Sequence, residues 1–234
     1  MDAVRRGVRL ATRLAASWPE VRAGVPGAAA RRLLDAMDVR IDGPGERLRV
    51  PGPTGTLVVA NHVSWLDVVA LVALEPMAFL AKREVGRWPV LGSLSARLGT
   101  VFVDRSALRS LPADIGRVAA LLRAGRSVVV FPEATTWCGP PGGRFRRAAF
   151  QAALGAGAPV RPVTFAYTQG GRPSTVAAFV GDDTLAASLG RVLRADDLRL
   201  RITAHPPLPP VGDRRALAAA AREAVCGADG LAHA

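Results

Sequence analysis

Short apolar runs alternate along the chain with segments whose apolar positions recur at helical spacing. The runs at 57–60, 100–103, 127–131 and 160–165 are rich in β-branched residues and predict buried strands. The segments between them, of which 111–124 is the clearest, predict amphipathic helices. Strands that alternate with helices indicate a mainly parallel sheet flanked by helices, so the predicted fold class is α/β.

Residues 39–50 carry a different pattern. Val39–Ile41 and Arg47–Val50 alternate apolar and polar residues with a period of two, and the turn-forming sequence Asp-Gly-Pro-Gly lies between them. This pattern predicts a β-hairpin.

The first segment, Val4 to Val21, predicts a basic amphipathic helix. Its apolar face is formed by Val4, Val8, Ala11, Leu14, Ala15, Trp18 and Val21, and the opposite side by Arg5, Arg6, Arg9 and Arg13. Such a helix either lies in a membrane interface or packs on the domain. With a second helix at 28–37 it predicts an N-terminal helical hairpin over 1–37, followed by the main domain at 38–226 and a flexible tail at 227–234.

Composition adds little to this picture. The net charge of +12 favours anionic partners, but Lys82 is the only lysine, and the arginine, alanine and glycine content indicates a GC-rich genome that explains the charge equally well. Half of the residues are hydrophobic, which excludes wholesale disorder. Two cysteines exclude a disulfide framework, and with no signal-peptide pattern they predict a reducing cytoplasm. No apolar run reaches the ~20 residues that span a bilayer.

His62 lies where the strand at 57–60 ends and a helix begins. Ligands bind at this edge of parallel sheets. Asp67 follows five positions later, and at a helix entry that offset brings a carboxylate back to the imidazole, which orients the ring and makes it a better base. Two other readings stay open: a histidine with ordinary structural hydrogen bonds, and an aspartate that only caps the helix.

Two further strand ends finish in polar residues. Arg105 follows one of them, and Glu133, Thr135 and Thr136 follow another. Because the carboxyl ends of parallel strands meet at one edge, these groups are expected to line a single cleft with His62. A base, a guanidinium and hydroxyl groups suit deprotonation of an alcohol beside a phosphate. The alternatives are that Arg105 forms an ordinary surface ion pair and that Glu133 lies in an ordinary turn after a strand.

Four blocks in order resemble the glycerolipid acyltransferase family, and the lysophosphatidate acyltransferases in particular. They are NHVSWLD at 61–67, GTVFVDRS at 99–106, FPEATT at 131–136 and APVRPVTF at 158–165. The stretches KREVGRWPVLG at 82–92 and RFRRAAF at 144–150 are similar to the family as well. The resemblance covers about residues 55–170 and, unlike charge or periodicity, points to an enzyme.

The resemblance implies a reaction. His62 would act as general base on the free hydroxyl of a lysolipid, Asp67 would hold the imidazole, and the hydroxyl would attack the thioester of acyl-CoA or acyl carrier protein. Neither a metal nor a bound cofactor is implied. The implied substrate-binding residues are Asn61, Lys82, Arg105, Glu133, Ala134, Thr135 and Thr136. The implied setting is peripheral, on the cytoplasmic face of the cell membrane, with membrane lipids as partners and no nucleic acid.

Two positions depart from the family pattern and bear on the acceptor. Ala134 stands where the family usually has glycine, and Thr136 where it commonly has arginine, so a phosphate clamp is missing. The leading prediction is acylation of lysophosphatidate to phosphatidate. The alternatives are acylation of another lysolipid, such as a lyso-ornithine lipid, and, from another class, a non-catalytic basic membrane-binding module.

Overall fold

The computed structural model describes residues 3–22, 26–83, 98–103, 108–138 and 143–227. The helices are α1 (Ala3–Arg22), α2 (Pro26–Ala36), α3 (Trp65–Leu74), α4 (Leu111–Arg123), α5 (Ala148–Ala156), α6 (Leu185–Arg194) and α7 (Arg214–Gly227). The strands are β1 (Arg40–Asp42), β2 (Leu57–Ala60), β3 (Ala78–Lys82), β4 (Val101–Val103), β5 (Val128–Val130), β6 (Val160–Gln169), β7 (Arg172–Pro173) and β8 (Leu198–Ala204).

The strands form one sheet in the order β1-β8-β6-β2-β5-β3-β4, with β7 paired to β6. From β6 to β4 all neighbours are parallel, and β1 is parallel to β8. Only the β6–β8 and β6–β7 pairs are antiparallel in the described part of the chain. The predicted α/β class with a mainly parallel sheet is therefore confirmed.

The sheet is covered by helices on both faces. Leu57 and Val59 of β2 belong to the apolar cluster that contains α4, α5 and α7. Val58 and Ala60 belong to the cluster on the other face, which contains residues of α1, α2, α3 and α6. All four residues of β2 are buried, which explains why the central strands appear in the sequence as continuous apolar runs.

The predicted hairpin at 39–50 is wrong. Residues 40–42 form β1, which pairs in parallel with β8, and residues 47–50 belong to no strand. The backbone N–H groups of Leu48 and Arg49 donate to the carboxylate of Glu75, and that of Val50 donates to the hydroxyl of Thr56. Side chains thus replace the strand partner that the period-two pattern predicted, and the pattern arises because Leu48 enters the core.

Helices α1 and α2 pack against each other, but the orientation of α1 differs from the prediction. Arg6, predicted on the outer face, is only 2% exposed, whereas Val4 and Val8 are 69% and 63% exposed. The side chains of residues 14 and 17–22, including Trp18, lie outside the described part, as do residues 228–234 of the predicted tail. Across the described chain, each helix is too short or too polar to cross a bilayer.

Four hydrogen-bond acceptors account for the inward orientation of Arg6. Its guanidinium donates to the carboxylates of Asp38 and Asp196 at 3.1 Å each, and to the carbonyls of Leu193 and Ala195. Satisfied charge can be buried where isolated charge cannot. Arg6 thereby joins α1 to the ends of α2 and α6.

Candidate active site

His62 follows the carboxyl end of β2, which lies between β5 and β6 in the sheet. Its backbone N–H donates to Glu133 Oε2 at 3.1 Å, and its carbonyl accepts from the N–H of Trp137 at 2.8 Å. The strand and these two hydrogen bonds fix the backbone from which the imidazole projects. His62 therefore stands at the sheet edge where α/β proteins bind ligands.

The start of α3 positions Asp67. Ser64 is the N-cap: its hydroxyl accepts the N–H of Leu66 at 3.3 Å, and its own N–H donates to Asp67 Oδ2 at 2.9 Å. This reciprocal capping box holds the carboxylate over the first turn of the helix. The same short sequence thus begins the helix and directs Asp67 toward His62.

The imidazole and the carboxylate are in direct contact, with 2.9 Å between His62 Nδ1 and Asp67 Oδ2. Asp67 is fully buried, and the same oxygen accepts the N–H groups of Val63 and Ser64 at 2.8 and 2.9 Å. An oxygen that accepts two N–H groups acts as an acceptor toward Nδ1 too, so Nδ1 carries a proton. Nε2 is then the nitrogen that can accept a proton, and the ring, 21% exposed, is within reach of a substrate.

An aromatic ring and an apolar cavity adjoin the imidazole. Phe131 stacks on His62 with 4.0 Å between ring centroids and 15° between the planes. Phe131 also lines a cavity of about 140 Å³ whose walls include Leu80, Ile115 and Arg146. The base therefore lies beside a mostly apolar space with one guanidinium at its wall.

Glu133, which accepts the backbone N–H of His62, is almost fully buried. Its second oxygen accepts the N–H of Gly143 at 2.8 Å, so both carboxylate oxygens are occupied by backbone groups. Burial raises the pKa of Glu133, and the N–H groups of Gly143 and His62 oppose that rise. The contacts shown are with the protein's own backbone, and substrate binding by Glu133 stays a prediction.

The turn after β5 contains the two departures from the family pattern. Ala134 adopts φ 64°, a left-handed conformation that favours glycine, so this alanine keeps the turn that a glycine would form. Thr135 is exposed. The hydroxyl of Thr136 donates to the carbonyl of Phe179, which ties the turn to the segment before α6.

The other predicted substrate-binding residues lie in different settings. The Asn61 amide is occupied by β6, with Oδ1 accepting the N–H of Phe165 at 2.7 Å and Nδ2 donating to its carbonyl at 3.0 Å. Lys82 is exposed at the carboxyl end of β3, on the same edge of the sheet as His62. Arg105 and most of the 82–92 stretch lie outside the described residues.

A larger cavity of about 680 Å³ lies away from this chemistry. It is lined by Arg47, Glu75 and Arg126 among others, and by residues that precede β5, so it is at the amino edge of the sheet. The smaller cavity is the relevant one because it adjoins the His62–Asp67 pair. In those residues no group of histidines, cysteines and carboxylates is arranged to hold a metal ion.

The arrangement suits removal of a proton from a hydroxyl group. A histidine oriented by a buried carboxylate is a general base, and an aromatic and apolar surround suits a reactant with a hydrocarbon chain. Together these two features suit chemistry on a lipid.

Sequence reasoning missed Tyr167. Its hydroxyl donates to Asp67 Oδ1 at 2.5 Å from β6, one hundred positions away in the chain. The available signals were that it is the only tyrosine of the chain and that it lies in an apolar strand, where a phenolic hydroxyl needs a partner.

The chain is similar to several known proteins. Residues 45–166 match the model of the Acyltransferase family. The chain is 38% identical over 223 residues to the lyso-ornithine lipid O-acyltransferase of Pseudomonas aeruginosa, covering 90% of this chain and 84% of that protein. It is 37% identical over 172 residues to the 1-acyl-sn-glycerol-3-phosphate acyltransferase of Neisseria meningitidis, covering 74% of this chain and 67% of that protein. The crystal structure of the LPA acyltransferase PlsC from Thermotoga maritima shares the fold, with a TM-score of 0.58 at 21% identity. The match covers 85% of this chain and 78% of that protein.

Proposed function

Because the chain belongs to the acyltransferase family, we propose that it moves a fatty acyl chain from a thioester to the hydroxyl of a lysolipid, with His62 as the general base. The observation that carries this proposal is the contact of 2.9 Å between His62 Nδ1 and Asp67 Oδ2. It leaves Nε2 to act on the substrate. The predicted non-catalytic membrane module does not account for a solvent-accessible, oriented imidazole.

The proposed reaction is a direct transfer. His62 Nε2 takes the proton of the acceptor hydroxyl while that oxygen attacks the thioester carbonyl. The tetrahedral intermediate collapses, the carbon–sulfur bond breaks, and the imidazolium returns its proton to the departing thiolate. The products are an ester and the free thiol of coenzyme A or of acyl carrier protein. Asp67 stabilises the imidazolium during the step.

The apolar cavity supports a lipid reactant. Its lining by Leu80, Ile115 and Phe131 suits a hydrocarbon chain. Because Phe131 contacts both the cavity and the imidazole, a chain bound there has its reactive end close to His62.

For the acceptor, we propose a phosphate-free lysolipid of the lyso-ornithine type. Thr136 occupies the position of the family's common arginine, and its hydroxyl is bonded to Phe179, so this position offers no guanidinium to a phosphate. The relative from Pseudomonas aeruginosa that aligns with 90% of this chain has a lyso-ornithine lipid in its name.

Lysophosphatidate is the second candidate acceptor. The side chain of Arg146 lines the apolar cavity and supplies a cation close to Phe131. A guanidinium there suits a phosphate headgroup. The relative from Neisseria meningitidis is named for that substrate.

A competition experiment separates the two acceptors. Purified protein receives equimolar lyso-ornithine lipid and lysophosphatidate with labelled acyl-CoA, and in a parallel reaction labelled acyl carrier protein, and the products are identified by mass spectrometry. We expect the ornithine product to exceed phosphatidate. The reverse order would assign the lysophosphatidate reaction, and Arg146→Met would then lower it selectively. No acylated product with either donor would refute the proposed reaction.

We also propose that α1 binds the membrane surface from which the lipid is taken. Val4, Val8, Ala11 and Ala15 are all exposed on the described part of α1, and Arg5 and Arg13 flank them. Apolar side chains bordered by arginines are typical of helices that lie in an anionic membrane interface. The buried guanidinium of Arg6 holds α1 in the orientation that presents them.

A matched pair of variants tests this membrane contact. The double change Val4→Ser and Val8→Ser is expected to lower partition onto anionic vesicles about tenfold, since two valines no longer enter the apolar layer. Val211→Ser changes a valine that is equally exposed, at 65%, on a loop before α7, and is expected to leave partition unchanged. Equal pelleting of the double variant and the native protein would rule out this face as the contact.

A further inference from the structure

Tyr167 places its hydroxyl against the carboxylate that orients His62. The side chain is fully buried, and its O–H donates to Asp67 Oδ1 at 2.5 Å. The other carboxylate oxygen, Oδ2, serves His62 Nδ1 and the two backbone N–H groups of the helix cap. The two oxygens of Asp67 therefore have separate tasks, and Tyr167 is the donor found on Oδ1.

We infer that Tyr167 is a positioning residue that sets the strength of His62 as a base by holding the second oxygen of Asp67. This inference rests on the proposed function, because it requires His62 to accept a proton. A carboxylate that accepts a strong hydrogen bond on Oδ1 has less negative charge to stabilise a protonated imidazole through Oδ2. The phenol thus limits how tightly the His62–Asp67 pair holds the proton that it must later return.

The phenol is suited to be a permanent donor. Burial, followed by the charge of Asp67 and the hydrogen bond to it, raises the pKa of Tyr167 well above that of a free phenol. The hydroxyl stays protonated over the pH range in which an imidazole titrates. The Ser64 side chain opposes this rise in pKa, so the helix cap lies close to the phenol.

Other charged groups near His62 do not depend on the phenol. Glu133, on the turn after β5, accepts the backbone N–H of His62, and Arg222 on α7 is close enough to Glu133 to affect its charge. Asp67 comes from α3 and Tyr167 from β6. Replacement of Tyr167 by phenylalanine removes one donor and leaves Glu133, Arg222 and the capping box in place.

The pH dependence of kcat/KM is the first test. With Tyr167→Phe, Asp67 Oδ1 loses its donor, the protonated imidazole is stabilised, and the acid limb of the profile should move to higher pH by roughly half to one unit. A decrease of about tenfold in kcat at the plateau, with little change in KM, is expected from looser orientation of the base.

Thr164→Val is the matched control for a merely structural effect. Thr164 also lies on β6, and its hydroxyl bonds to His205 and to the carbonyl of Val225, away from Asp67. This variant is expected to lose some thermal stability while its acid limb stays where it is in the native protein. A shift shared by both variants would mean that any lost hydroxyl on β6 produces it, and the inference would be refuted.

The second test changes the acidity of the Tyr167 hydroxyl without removing it. Because Tyr167 is the only tyrosine, growth on 3-fluorotyrosine alters this phenol alone. The fluorinated phenol is more acidic and a stronger donor, so the acid limb should move to lower pH, opposite to the effect of Tyr167→Phe. Shifts in the same direction would overturn the inference.

The outcomes distinguish this inference from the proposed function. If His62→Ala keeps its transfer activity, the general-base proposal itself is refuted. If His62→Ala is inactive but the acid limb is the same with phenylalanine, tyrosine and fluorotyrosine at position 167, only the role of Tyr167 is refuted. Ultraviolet titration of the single phenol, which needs no activity, should show it ionising well above pH 10 in the native protein.

Discussion

Asp67 and Arg6 are both charged side chains with almost no exposed surface, and they differ in where their partners come from. Three donors to Asp67 lie within five positions of it, and only Tyr167 is distant. Every partner of Arg6 described above is at least thirty-two positions away. The first charge belongs to a local motif that we propose to be catalytic, and the second joins a helix to the rest of the fold.

The comparison predicts that a change at Asp67 acts mainly on catalysis. Asp67→Asn removes the charge that stabilises the imidazolium and favours the wrong tautomer of His62, so kcat should fall by about 10³- to 10⁴-fold. Initial rates of acyl transfer measure this. Asp35→Asn, an exposed aspartate on α2, is the control and should change the rate less than twofold.

A change at Arg6 should act on stability instead. Arg6→Met leaves the carbonyls of Leu193 and Ala195 without their donor and should lower the free energy of unfolding by about 2 kcal/mol. The ion pair with Asp196 contributes little to this loss because that carboxylate is 80% exposed. The melting temperature measured by circular dichroism should fall by about 4–8 °C.

Its control is Arg5→Met, which makes the same charge change at an exposed position of α1. That variant should have the melting temperature of the native protein. If the melting temperature of Arg6→Met is also unchanged, the buried guanidinium does not hold α1, and the orientation of the exposed valines has another cause.

The distant partner of Asp67 predicts a smaller effect at alkaline pH. An unfolded chain releases the phenolic proton near pH 10, whereas the folded protein holds it, because burial and Asp67 raise the pKa of Tyr167. The stability that this provides is complete below pH 10 and is lost as the pH rises above it, by an amount on the order of 1 kcal/mol by pH 11. Urea unfolding of the native protein and of Tyr167→Phe, each below pH 10 and at pH 11, measures how much stability each protein loses. An equal loss in the two proteins would contradict the prediction.

The same comparison explains what the sequence could predict. The His62–Asp67 contact depends on a strand end and a helix cap encoded in seven consecutive residues, so the spacing suggested it beside two structural alternatives, and the family resemblance favoured it. Tyr167 and the inward orientation of Arg6 depend on how β6, α2 and α6 pack, which no local pattern records. The wrong hairpin has the same cause, since Glu75 supplies the hydrogen bonds that a partner strand was expected to supply.

The predicted substrate-binding residues show the same contrast between local patterns and long-range packing. Glu133 and Thr136 come after a strand that the sequence located correctly, and the structure bonds Glu133 to the backbone of His62 and Thr136 to that of Phe179. Their hydrogen bonds to His62, Gly143 and Phe179 join segments that are far apart in the chain. A sequence motif thus predicts where a side chain lies more readily than which atoms it contacts.

The most direct test of the central claim is the rate of acyl transfer by His62→Ala. With lysolipid and labelled acyl-CoA or acyl carrier protein, whichever the native protein uses, we predict at least a thousandfold loss of the ester product, with circular dichroism and melting temperature close to those of the native protein. A folded His62→Ala protein that forms the ester within tenfold of the native rate would contradict the assignment of His62 as the base.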